Sequence, residues 1–196
     1  MKEENKKRLL SARQVAGTAA LLAICIISQF MKSLSVYITG PIINSCLVLA
    51  VLLFGLPAGI LLSFVTPVTA FLIAPSPVMQ AIPGIVVLIM LGNMILAVGV
   101  HFLVKSPFMK KNYLSFHSVA GAIVSALLKA GFMGVTIALW AIPTYLPETS
   151  KLRDRDKIAI FQNTFSVVQF FTAMIGLAYV FLLWPVLRKA LASKSD

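Results

Sequence analysis

The chain has 196 residues, 59% of them hydrophobic and 12% charged, with a mean hydropathy of +0.95. A soluble domain carries about 25% charged residues, so this composition excludes a water-soluble globular protein and points to an all-α integral membrane protein. The net charge of +11 does not imply nucleic acid, because the lysines and arginines flank apolar segments, as topology signals do.

Between Lys32 and Lys105 there is no Asp, Glu, Lys or Arg, which leaves room for three crossings at about 20 residues each. Proline, glycine and charge divide the chain into a single domain, 1–196, with six expected spans. The first covers 14–31. The basic stretch before it has no small-residue cleavage site, so this segment is expected to be retained rather than removed as a signal peptide. Ala12 just before it and Ala16 and Ala20 within it lie at four-residue spacing, with Ala19 and Ala23 alongside. Small residues four apart form one helical face that another helix can approach closely. That face serves packing within the bundle or docking of another membrane subunit.

The second span is expected over 41–54, after GPIIN, and the third over 59–74, after the turn FGLPAG. The proline-rich APSPVMQAIPG reads as a loop, and the fourth span follows over 84–104. After KSPFMKKN comes the fifth, over 117–142, and after the polar PTYLPETSKLRDRDKIAIFQ the sixth, over 161–187. Six spans put both termini on one side. Lys2, Lys6, Lys7, Arg8, Arg13, Lys105, Lys110, Lys111, Arg188, Lys189 and Lys194 share that side, while Glu148, Asp154 and Asp156 dilute the basic residues of the other. The positive-inside rule therefore makes both ends cytosolic.

The fifth span carries small residues at Ser118, Ala122, Ala126, Ala130 and Gly134, and beside them the row Gly121, Ser125, Lys129. Lys129 thus lies on the crowded side of its helix, roughly 18–20 Å from either end at about 1.5 Å per residue. Its stem cannot snorkel that far, and a cation at mid-membrane costs about 2.5–3.5 kcal/mol on insertion scales. The spans contain no acid to offset it. Lys129 is then neutral, hydrated in a cavity, paired with another subunit, or facing an anionic ligand. Asn44, Asn93, Gln169, Asn163 and Trp140 lie at comparable depth or toward the outside, and with Lys129 they are the candidate substrate-binding residues. Each amide also fits a helix–helix hydrogen bond, and Trp140 fits an interfacial anchor. Cys25 and Cys46 are expected to be free thiols.

Sequence motifs for nucleotide hydrolysis, zinc peptidase or serine hydrolase chemistry are missing. Neither enzymatic activity nor a cofactor or metal is expected.

This pattern resembles the substrate-binding S component of energy-coupling factor (ECF) transporters. The likeness rests on the six spans, the cytosolic termini, the first-helix alanines, GPIINSCLVLAVLLFGLPAGILLSFVTPVTAFL, the proline-rich loop after it, and IPGIVVLIMLGN. The resemblance implies a multi-pass protein of a bacterial cell membrane that binds a vitamin or related micronutrient in an outward-opening pocket. It implies that Ala12, Ala16 and Ala20 dock on a transmembrane T subunit driven by two cytosolic ATPases. The alternatives are a self-contained secondary carrier, which would usually need an intramembrane acid or histidine, and a membrane enzyme or assembly factor.

Overall fold

The computed structural model describes residues 12–31, 36–109, 113–148 and 150–192. Most of the expected basic N-terminal cluster, and Lys32, Lys110, Lys111 and Lys194, lie outside these. Among the described residues the regular structure is entirely helical. In hydrocarbon every backbone polar group needs an internal partner, and a helix supplies one within its own segment.

The helices are α1 (Ala12–Phe30), α2 (Val36–Phe54), α3 (Leu56–Ile73), α4 (Pro77–Ala81), α5 (Ile85–Gly99), α6 (Lys105–Met109), α7 (Phe116–Met133), α8 (Ile142–Tyr145), α9 (Arg155–Phe165) and α10 (Val167–Ala192). Two π-helical stretches make the run longer: Val100–Val104 continues α5, and Gly134–Ala141 links α7 to α8. Five helical runs are long and apolar enough to cross a membrane: Val36–Phe54, Leu56–Ile73, Ile85–Val104, Phe116–Tyr145 and Arg155–Lys189; Gln14–Phe30 is a shorter apolar helix.

Several boundaries differ from the sequence reading. α2 begins at Val36 and carries Pro41 inside it, where neighbouring helices can satisfy the backbone group that proline frees. The turn between α2 and α3 is a single residue, Gly55, at φ 96°, a conformation open to glycine because it has no Cβ. The proline-rich loop contains α4, whose first turn is capped by Ser76 accepting from the Met79 N–H. The last apolar run starts earlier, as the amphipathic α9, and breaks at Ser166 before α10.

α2 is the most enclosed helix and packs against α1, α3, α5 and α10; α7 packs against α5 and α10. α2, α3, α5, α7 and α10 therefore form a closed ring of neighbours, with α1 laid against α2 and α3. Large apolar side chains such as Ile27, Leu72, Phe102, Leu139, Leu182 and Val186 cover the outside. Two apolar clusters fill the inside. One, near the end that carries the described termini, gathers Val51, Leu52, Leu96, Val104, Ala122, Leu177 and Trp184 around Phe108, which meets Phe181 and Trp184 at ring-centroid distances of 4.9 and 4.7 Å. The other, at the opposite end, gathers Met79, Ile85, Met133, Ile137, Ile142 and Phe165. Cys25 and Cys46, both buried free thiols, belong to a third cluster between α1, α2 and α3.

The α2–α10 contact depends on absent side-chain volume. A Cβ added to Gly176 would fall 2.8 Å from the Asn44 Cβ and 2.9 Å from the Pro41 carbonyl oxygen. Ser45 tightens the same contact by donating to the carbonyls of Pro41 and Gly176 at 2.8 and 3.0 Å. Overpacking a filled core costs about 1–3 kcal/mol, so Gly176→Val should lower the melting temperature of the detergent-solubilised protein and displace Asn44. A Gly176→Val protein that melts with the wild type would show that α2 and α10 do not meet this closely.

Candidate functional site

Between the two larger apolar clusters lies a polar layer. Asn44 sits one turn before Val48 on α2, Asn93 one turn before Leu96 and Ala97 on α5, and Lys129 between Ala126 and Met133 on α7. All three are buried, at 1%, 4% and 2% exposure. Lys129 Nζ donates to Oδ1 of Asn44 at 2.6 Å and to Oδ1 of Asn93 at 2.8 Å. One side chain from α7 thus ties three helices together.

The sequence offers no acid for Lys129 and groups it with the amides as candidate binding residues without pairing them. The structure joins them. Charge-assisted hydrogen bonds contribute about 1.5–3 kcal/mol each, which is the scale needed to offset the insertion cost of a mid-membrane lysine. The helices approach closely enough because small residues line the contacts: Ser125 Oγ lies 2.6 Å from where a Cβ on Gly99 would stand.

Lys129, Asn44 and Asn93 line a cavity of about 150 Å³. Its other walls come from the end of α1 (Gln29), the start of α2 (Val36, Thr39, Gly40, Ile43), the end of α3 (Thr66, Pro67, Ala70), Ser76 and Met79 beside and within α4, Ile89 of α5, and Thr164, Phe165 and Gln169 around the α9–α10 break. These segments share one end of the bundle, opposite the described termini. As an ammonium, Lys129 has three donors and no acceptor; Asn44 and Asn93 take two, which leaves the third without a partner among the described residues.

Gln169 therefore joins Lys129, Asn44 and Asn93 at the cavity, and also donates to the Thr164 carbonyl at 3.3 Å. Asn163 and Trp140 do not line it. On α9, Phe165 is buried and Phe161 packs against the same cluster; Asn163, two residues from each, projects from the opposite side of the helix and is exposed. Trp140 would share the Lys129 face if the α-helix continued, since eleven residues make about three turns at 3.6 per turn. The wider π-helical turns of Gly134–Ala141 rotate less per residue, and Trp140 emerges 51% exposed, edge-on to Tyr145 at 5.4 Å. That is the geometry of an anchor outside the cavity.

Gln29 is absent from the sequence reading, which takes the first span through its alanines. A lone amide near the end of an apolar helix is the available signal. It is fully buried, and its Nε2 donates to the Thr66 carbonyl at 2.9 Å. Ala12, Ala16 and Ala20 are exposed on α1, as are Ala19 and Ala23. Among the described residues no group of His, Cys, Asp or Glu is arranged to hold a metal ion. No protein-family model, curated protein or solved structure matches this chain.

Removing one amide strands the buried Lys129 amine, whereas removing the whole trio leaves an apolar core. Asn44→Leu and Asn93→Leu should each destabilise the protein by about 1.5–3 kcal/mol. Adding Lys129→Met to the pair should recover most of that loss. Denaturant unfolding in detergent reads both effects, and an Asn44→Leu protein as stable as wild type would remove the amide from the account.

Proposed function

We propose that this chain is the membrane-embedded substrate-binding subunit of an uptake system for a small, vitamin-like anion. The observation that carries the reading is Lys129: a buried lysine held by two neutral amides, lining a cavity, with a donor to spare. Amide oxygens orient the cation without neutralising it, so an anionic group is the complement the site lacks. In this reading water hydrates Lys129 in the empty cavity and the anion replaces it on binding.

The wider arrangement follows the resemblance to ECF S components. All six apolar helices cross a bacterial cell membrane, both ends face the cytosol, and the cavity opens outward. Transport is powered by a transmembrane T subunit and two cytosolic ATPases, in keeping with a chain that has no nucleotide-binding motif of its own. Ala12, Ala16 and Ala20 form the T-subunit contact; their exposure on α1 supports this. The proline-rich segment contributes Ser76 and Met79 to the cavity wall, which suits a cover that opens for the substrate.

Ligand retained through purification and identified by mass spectrometry, followed by affinity measurements, tests the binding role. A charge-assisted bond of about 1.5–3 kcal/mol corresponds to roughly one to two powers of ten in affinity, and folded Lys129→Met should lose that much. Lys129→Arg should recover only part, because a planar guanidinium does not replace a compact ammonium. Unchanged affinity in the folded Met protein would refute the anion-binding role.

Docking is tested independently. Ala16→Trp should block close helix approach, abolishing co-purification with the ATPase module and uptake while ligand affinity survives. An Ala16→Trp protein that still assembles and transports would overturn the contact.

A further inference from the structure

The cavity has a second pole, and it is of the opposite kind to Lys129. Gln29 is 0% exposed, and its Nε2 is committed to the Thr66 carbonyl. Its Oε1 is buried and has no hydrogen-bond partner among the described residues. Buried side-chain acceptors are nearly always paired, since an unpaired one bears its full desolvation cost. Thr66 cannot supply the missing donor, because its hydroxyl donates to the Leu62 carbonyl at 2.8 Å. Both Gln29 and Thr66 line the cavity.

The two poles stand on different helices: Lys129 is held by α2 and α5, and Gln29 by α3. Between them the walls are largely apolar, from Ile43, Pro67, Ala70, Met79, Ile89 and Phe165. The space bounded by these walls is also small. At about 150 Å³ the space matches a cavity that holds one benzene molecule, and drug-sized sites begin at about 300 Å³.

Resting on the uptake reading above, we propose that the occupant is a small monoanion of about six to ten non-hydrogen atoms that also carries an N–H or O–H donor. Its anionic group meets Lys129, its apolar body fills the middle, and its donor meets Gln29 Oε1. Amino- and hydroxy-substituted aromatic or short aliphatic carboxylates are the chemical class.

The test uses the full-length protein in detergent and isothermal titration with paired monocarboxylates. Hydroxy- and aminobenzoates are set against the methylbenzoates of the same shape, and hydroxy- and aminoalkanoates against the matching alkanoates. The expected result is a preference of about tenfold for at least one donor-bearing member over its methyl counterpart. Gln29→Met should erase that preference, and Lys129→Met should weaken both members of the pair. If the Gln29→Met protein fails to fold, the wild-type comparison decides alone. Equal binding of donor-bearing and methyl members in wild type, or a preference that survives Gln29→Met, overturns the assignment. If such equal binding is still weakened by Lys129→Met, the anion site stands without the Gln29 pole. Binding of no member overturns the size and class proposed here, while retained ligand and co-purification judge the uptake reading separately.

Discussion

A lysine at the centre of an apolar bundle is the constraint around which the rest of this structure is arranged. A buried amine there must find oxygen, and apart from Asp156 at the exposed start of α9 the apolar runs contain no carboxylate. Two amide oxygens, one from α2 and one from α5, meet it from different sides. This demands that three helices approach at the same depth. The small residues of α7 and the glycines facing them are part of the same solution, because the row that admits close approach is the row that carries Lys129.

The interior is polar in its middle and apolar above and below, while large apolar side chains cover the outside of the helices. Water is therefore kept from the polar layer on the terminal side by the Phe108–Trp184 cluster. Where the local dielectric is low, a satisfied hydrogen bond is strong and an unsatisfied group is costly. Under the proposed function, the site favours an occupant that completes both of its poles over one that completes either alone.

α1 links this chemistry to the outer surface. Gln29 turns inward to the cavity, whereas Ala16 and Ala20 are exposed on the other side of the same helix. Under the proposed function, one rigid element carries both a substrate contact and the partner-docking face. Occupancy of the cavity and the set of α1 against α2 and α3 would then be coupled without any long relay of residues.

Much of this protein was legible in order along the chain. Composition established a membrane solvent, and long apolar runs established helices, because hydrocarbon leaves the backbone little other choice. The four-residue spacing around Lys129 identified its crowded face, since helical geometry relates residues on one segment to each other. Geometry between segments is another matter. That Asn44 and Asn93 meet Lys129, that Gln29 reaches the same cavity, and that a π-helical stretch turns Trp140 outward all depend on how separate helices pack and where their hydrogen-bond register slips. The exposure of Asn163 was likewise decided by which side of α9 found the core. Local periodicity determined which faces each helix possesses, and only tertiary packing decided which of those faces meet, because contacts between distant segments are set by shape and by the need to pair buried polar groups.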